Sequence, residues 1–477
     1  MKQSSEYESS STPSAKRHFA YTPDQLKQLA EDVLSQAKKI GATDCAVEIT
    51  EGSGLTVNVR KGKVETIEQN RDKGIGVTVH IADSAGAPNG CGAVRRGNAN
   101  TSDFSAQALK DTVEAAYNIA RFTAADDCAS LPEDDLLQRD PIDYDLFHPW
   151  DIDAEQALKI GQHAEAAAFA VSPMIRNSDG ASVSAQHAHF IAANSRGFMA
   201  GYPHSRHSIS VAPIASPKRG SDGMQRDDWY VSKRDPADLP SPESVGSYAA
   251  ERALARMGSQ QLSTRQAPVR VEAPAATGLL GAFTQAVSGG ALYRQSSFLV
   301  DSIGTQVFAS HVDVTDDPTI LKGMGSTSFD EEGVRTLNRK VVEGGIVRGY
   351  FLSTYSARKL GMKTTGNAGG SHNLSIRSAL TRASDDFPAM LKKLGTGLLV
   401  TELMGQGVNY LTGDYSRGAT GFWVENGVIA YPVEEITIAA NLREMFLGIA
   451  AIGADTLVRG NKESGSILIE NMAIAGS

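Results

Sequence analysis

The sequence predicts an α+β protein: N-terminal helix-plus-antiparallel-sheet units followed by a β-rich C-terminal domain built around a central buried helix. Three observations predict it. Capped amphipathic helices precede runs in which polar and apolar residues alternate. Near Ser263 the texture changes to short strands separated by glycine turns. One apolar stretch, Val271–Gly290, carries no charged residue between Ala273 and Gly290. The 46 glycines among 477 residues favour turns and short strands over long helical bundles.

Taken in order, residues 1–20 are polar and Ser-rich, lack the apolar core of a signal peptide, and are expected to form a disordered tail. In the N-terminal α+β domain (residues 21–122), Thr22-Pro23-Asp24 starts a helix and Gly41 stops it. Leu26, Leu29, Ala30, Val33, Leu34, Ala37 and Ile40 form its apolar stripe. Cys45–Thr50, Leu55–Arg60, Val64–Ile67 and Gly74–Ile81 alternate as antiparallel strands with one wet face. A second helix is expected from about Ser102 to Phe122.

The middle α+β domain (residues 123–260) opens on an acidic, proline-bearing linker, Thr123–Trp150, read as wrapped on the surface. A helix from about Ala154 to Phe169, strands with a hairpin, and a capped helix from Ser241-Pro242-Glu243 to Gly258 follow. In the β-rich C-terminal domain (residues 261–477), Pro274 suits a first helical position and Gly289-Gly290 a stop. Ala276, Leu279, Leu280, Phe283 and Val287 recur at helical spacing between them. Leu398–Met404 reads as a buried strand, Phe422–Tyr431 as a hairpin turning at Asn426-Gly427, and Ser466–Met472 as a terminal strand.

The formal charge of -9 suggests no basic face for phosphates, so no nucleic-acid partner is expected. Cys45, Cys91 and Cys128 are far apart and match neither a disulfide framework nor zinc spacing. No run approaches a membrane span, and a reducing, cytoplasmic setting is expected.

The densest polar and glycine-rich stretch follows the buried strand: Gly405-Gln406-Gly407-Val408-Asn409, then Thr412-Gly413-Asp414-Tyr415-Ser416-Arg417. Glycines there let backbone amides approach a ligand while the polar side chains orient a peptide; an ordinary turn-rich connection gives the same pattern. Asn367-Ala-Gly-Gly-Ser371-His372-Asn373 has the same ambiguity. Ser371 or Ser416 with His372 makes a poor nucleophile pair, since neither serine sits in G-x-S-x-G. His187 and His189 alternate on a strand, with His204 and His207 nearby. They suit either a metal site, and with it an independent hydrolase, or an exposed polar strand face.

The Leu403-Met-Gly-Gln-Gly-Val-Asn409 loop, Thr412-Gly-Asp414 and the Glu425-Asn-Gly427 hairpin, with the N-terminal helix and strands, together resemble the PmbA/TldD family, peptidase U62 or "modulator of DNA gyrase". The likeness covers the chain from about residue 24. In the TldD type, it implies, two histidines of H-E-x-x-x-H on the central helix and a C-terminal cysteine hold zinc, and the glutamate is the general base. The corresponding positions here are Pro274, Ala275 and Leu279, and no cysteine follows Cys128. The resemblance therefore implies the PmbA (TldE) type: a subunit binding no cofactor of its own, with zinc in a TldD-type metalloprotease partner. It further implies an enclosed chamber for unfolded peptides, in peptide maturation or antitoxin degradation. Gln406, Asn409, Asp414, Arg417, Ser371 and His372 are the candidate peptide or partner contacts. A stand-alone, gyrase-modulating regulator, or a homodimer without protease activity, is the alternative.

Overall fold

The computed structural model describes residues 18–83, 93–217 and 223–476. Of the three cysteines, Cys91 lies outside them, as does most of the expected tail. Of the last tail residues, His18 is half-buried and Phe19 is buried and stacks on His189 at 4.0 Å, while Ala20 is exposed.

The N-terminal half is built on one long hairpin, Asp44–Arg60 and Lys63–Ala82. Alternation alone predicts four short strands, and the polar Glu51–Gly54 stretch is instead paired straight through in register. The reason is a buried carboxylate. Glu51 accepts N–H groups from Ala20 (2.6 Å) and Tyr21 (3.1 Å) and lies 2.9 Å from His189 Nε2, so a polar residue sits on the inner face without ending the strand. At the tip, Lys61 and Gly62 both take positive φ (52° and 71°), as a two-residue hairpin turn matched to strand twist requires. Their amides donate to the two oxygens of Glu165, at 2.9 and 2.8 Å, from the helix Ala154–Val171.

Asp44–Arg60 also pairs antiparallel with Ile175–Asn194, which pairs with Pro203–Ala215. Residues on both sides of the expected 122/123 division thus share one sheet. Cys45, Val47 and Ile49 face the helices Pro23–Lys39 and Ala106–Phe122, while Val57, Val59 and Val183 face Ala154–Val171. Both groups lie on one side of the strand because side chains alternate with a period of two. The opposite face carries Phe190 and Ala192 against Phe198 and Phe329, the last from the C-terminal part.

Thr123–Trp150 is a strap rather than a surface wrap: Leu131, Leu137, Tyr144 and Leu146 are buried. Arg358 donates to Ser130 O and Leu131 O, and Tyr355 and Lys359 to Asp126, tying the strap to the C-terminal part.

That part holds two six-stranded sheets among the described residues. In one, Val428–Asn441 pairs with both Asp414–Glu425 and Ile467–Ala475, so five of its strands close on themselves. The helix Ala273–Ala286 packs Ala276, Leu280 and Phe283 into a core shared with Val269, Leu398 and Ile467 of that sheet and Val314 and Ile376 of the other. Gly289-Gly290 does not stop this helix. Val287 caps it, and Ser288 opens a second short helix, Gly289–Tyr293, where a Cβ on Gly289 would fall 2.2 Å from Ser356 Oγ.

Losing the Glu165 carboxylate strands two amides of the hairpin tip. Glu165→Ala is expected to lower the unfolding free energy by about 3 kcal/mol, and Glu165→Gln by about half that, since charged acceptors contribute ~1.5–3 kcal/mol per bond. Urea denaturation followed by circular dichroism checks it; equal midpoints for all three chains refute it.

Candidate functional site

The innermost helix presents three inert groups at the positions where the resemblance places catalytic ones. Leu279 is buried in the core, Ala275 packs against it, and Pro274 is half-buried at the rim of a cavity of about 500 Å3. Trp229, Tyr248, Phe387 and Phe422 line that cavity as well. Glu272, immediately before the helix, makes no cap bond; its two oxygens take Arg252 Nη1 at 3.1 Å. Arg252 also meets Asp227 (3.2 Å), and Arg256 meets Glu402 (2.6 Å). This charged cluster holds the helix Pro242–Ala255 against the start of the innermost helix, and its carboxylates are engaged by guanidinium groups.

The loop after Gly397–Met404 gathers Asn409 and Asp414 into one turn. Asn409 N–H donates to Asp414 O (2.8 Å), Asn409 Oδ1 accepts from Leu411 N–H (3.0 Å), and Thr412 Oγ1 donates to Asp414 Oδ2 (2.6 Å). Gln406 is exposed, and Arg417 Nη2 reaches Leu403 O at 3.4 Å while its Nε has no partner. The polar side chains at 409 and 414 thus shape the turn, Arg417 is half-buried against Leu403 O, and Gln406 alone of the four is left exposed without a side-chain bond of its own in the turn.

Ser371 and His372 lie elsewhere, in a cavity of about 420 Å3 between the large sheet and the C-terminal part. Gln406, Asn409, Asp414 and Arg417 do not line it. His372 is buried with its N–H on Asp316 Oδ1 (2.7 Å) and Nδ1 3.0 Å from Asp316 Oδ2. Asn367 Nδ2 donates to the same oxygen (3.0 Å), and Arg339 donates to Asn367 Oδ1 (2.9 Å). This network pins the glycine-rich 367–373 segment. Ser371 contributes its carbonyl, which accepts from Asn461 Nδ2 (2.9 Å). Asp330, in the same cavity, has its carboxyl pushed up to about 7 by burial and then by Glu332.

The four histidines separate. His187, His189 and His207 are buried on the helix side, not on an exposed polar face. His187 Nε2 accepts the Trp150 N–H (3.1 Å), His207 Nε2 bonds His148 O (2.8 Å), and His189 is held by Glu51. His204 instead lines the cavity of His372. Burial, aided by neighbouring His18 and His207, lowers His187 to about 3; burial, aided by Arg234, lowers His204 to about 4. Among the described residues, the one group of three with ligand atoms within 4.8 Å of one another is Asp126, Asp127 and Cys128, on the strap.

Two features escape sequence reasoning: the buried acceptor Glu51 and a large cleft at residues 229–234 and 456–463. No local pattern marks either, since both arise from strands far apart in the chain.

Three family models match this chain: the PmbA/TldA metallopeptidase domain 1 over residues 45–120, the central domain over 147–257 and the C-terminal domain over 264–476. A protein named metalloprotease PmbA from Escherichia coli is 43% identical over 453 residues, covering 94% of this chain and 97% of its own length. A metalloprotease PmbA homolog from Haemophilus influenzae is 42% identical, covering 95% and 96%. In fold, the chain is similar to a crystal structure from Bacteroides thetaiotaomicron described as a modulator of DNA gyrase (TM-score 0.86, 22% identity, 94% of this chain and 99% of that one). It is also similar to TldE from Thermococcus kodakarensis (TM-score 0.79, 18% identity, 94% and 100%).

The shifted groups oppose one another in pH. His187 and His204 titrate below their unfolded value, so the unfolded chain binds extra protons from about pH 6.5 down towards 3–4 and stability falls with acid. Asp330 titrates above its unfolded value of 3.8, so its contribution is full below that pH and is lost as pH rises towards 7. Urea midpoints between pH 4 and 7 are expected to rise less steeply in His187→Gln than in the parent, and more steeply in Asp330→Asn. The same slope in all three refutes it.

Proposed function

The chain belongs to the PmbA/TldA metallopeptidase family, and from that premise we propose that it is the PmbA (TldE)-type subunit of a two-component zinc metalloprotease. In this reading it binds no metal and works with a TldD-type partner on unfolded peptides. The observation that carries it is the donor set of the innermost helix: Pro274, Ala275 and Leu279 offer no side-chain nitrogen, oxygen or sulfur, so they do not fit zinc. Leu279 is packed in the core, so the position is committed to apolar contact.

The partner's metal would supply the Lewis acid and the activated water. This chain's share is to bind and enclose. An extended peptide can pair with an exposed strand edge, whereas a folded domain has no free backbone to offer, and enclosure selects for unfolded chains. Gln406, exposed on the 405–417 loop, and the half-buried Arg417, whose Nε has no partner, are the proposed partner or peptide contacts. The formal charge of -9 disfavours the alternative of a regulator acting on DNA directly. The buried thiols of Cys45 and Cys128 suit the proposed cytoplasmic setting.

Co-expression with a family member from the same cell that carries H-E-x-x-x-H tests this. A stable complex that cleaves a denatured polypeptide and stops on adding chelator is expected, with neither subunit cleaving alone. Chelator-sensitive hydrolysis by this chain in isolation, or equal cleavage by the partner without it, overturns the proposal.

A further inference from the structure

Two strands with an open edge line the same cleft. Trp229–Lys233 pairs only with Pro203–Ala215, and Leu457–Arg459 only with Lys462–Ser464, among the described residues. The cavity between them is about 830 Å3, inside the ~300–1,000 Å3 range of ligand sites. Exposed strand edges are usually short, charged or covered. These two are short, five and three residues, and Arg459 of the second donates to Tyr230 O of the first; besides their cations they carry Trp229, Val231, Leu457 and Val458, and Leu321 beside them is 68% exposed.

The lining is cationic in an acidic chain. Lys233, Arg234, Lys322, Arg377, Arg459 and Lys462 stand against Asp238, Asp317 and Glu463. Two of the cations are neutralised, Arg377 by Glu463 (2.7 Å) and Lys322 by Asp235 (2.6 Å). Arg459 lies over the rings of Trp229 (4.2 Å) and Tyr230 (4.0 Å) and donates to Tyr230 O. Lys462 is half-buried, bonded to Asn461 Oδ1 at 3.3 Å with no carboxylate in reach among the described residues, and burial lowers its pKa. Its stem passes the innermost helix, with Cε 3.9 Å from where a Cβ on Gly281 would stand. A half-buried ammonium without a counter-charge is costly, and an incoming carboxylate offsets that cost.

We propose that this cleft binds an acidic polypeptide segment in extended form, its backbone pairing with one of the open edges and its carboxylates meeting Lys462 and Lys233. The inference rests on the peptide-handling reading above and narrows its substrate class. Strand addition supplies sequence-independent affinity through main-chain bonds, and the uncompensated cations supply the preference for Glu and Asp.

The test uses the isolated full chain, without partner or zinc, and a fluorescein-labelled peptide of about ten residues alternating Glu and Val, long enough to follow one edge. Anisotropy at low salt is expected to show the Gln-for-Glu peptide binding about tenfold more weakly, and the Lys-for-Glu peptide weaker still. N-methylation of alternate peptide amides is expected to remove most binding. The double variant Lys233→Glu, Lys462→Glu is expected to lose the acidic preference. Lys110→Glu, on the helix Ala106–Phe122, is expected to keep it. Equal affinity for acidic and basic peptides, insensitivity to N-methylation, or a preference surviving the double variant overturns the inference. No cleavage is read, so acidic peptide binding by a chain that never joins a protease preserves this inference while the subunit reading falls.

Discussion

The pairing of Asp44–Arg60 with Ile175–Asn194 is the constraint on which the rest of the molecule depends. Its register runs unbroken from Ala46↔Asn194 to Val59↔Ala181. Because side chains alternate, this one alignment decides what faces the four helices and what faces the C-terminal part. A slip of one residue along Asp44–Arg60 would turn Val47, Ile49 and Val57 away from the helices, out of step with Val183 on the partner strand, and bring Glu48 and Thr50 inward. The alignment also places Glu51 beside His189, and so creates the seat for the Ala20 and Tyr21 amides. The chain entry, both helix pairs and the interdomain cavity are consequences of the same pairing.

Much of this is legible in the sequence, for physical reasons that also explain the remainder. The helix Pro23–Lys39 is readable because its cap and stripe are local: Thr22 and Gln25 form the capping box, and Leu26, Ala30, Val33 and Ala37 are buried. The Asn426-Gly427 turn is readable because positive φ at both positions (51° and 76°) demands those residues. The histidines are not. Polar residues at every second position normally mean a wet strand face, yet here His187, His189 and His207 are roofed by His18, Phe19 and Trp150, brought in from two distant segments. Glu51–Gly54 reads as a break for the same reason. Its partners are supplied by tertiary structure, and alternation within one strand carries no record of them.

The candidate site divides along the same line. The lack of ligand-bearing side chains at Pro274, Ala275 and Leu279 is a property of residue type and needs no coordinates. What the structure adds is the setting. The helix is apolar on its core side, while a Cβ added to Gly278 on its open side would meet no atom within 4 Å. The turn residues Asn409 and Asp414 show the converse. Glycine with Asn and Asp marks either a binding loop or a self-bonded turn, and only the geometry reveals that their side chains bond within the loop.

The treatment of strand edges connects fold to function. In the C-terminal part, Val428–Asn441 joining Ile467–Ala475 over three residue pairs closes five strands of one sheet on themselves, leaving Ile449–Ile452 as its one outer strand among the described residues. The long edge at Lys63–Lys73 is exposed throughout, and it is dense in charge of both signs: Lys63, Glu65, Glu68, Arg71, Asp72 and Lys73. Such an edge repels casual pairing. The edges at Trp229–Lys233 and Leu457–Arg459 are short and mostly apolar or aromatic, each ends in a single cation, Lys233 or Arg459, and both are recessed in a cleft. A chain that joins one sheet back on itself and charges another edge, yet recesses these two inside a cavity, places strand edges with cations but few carboxylates where an extended acidic segment can enter. The Lys462 ammonium at that point, beside the innermost helix, makes the entering segment's charge the remaining variable.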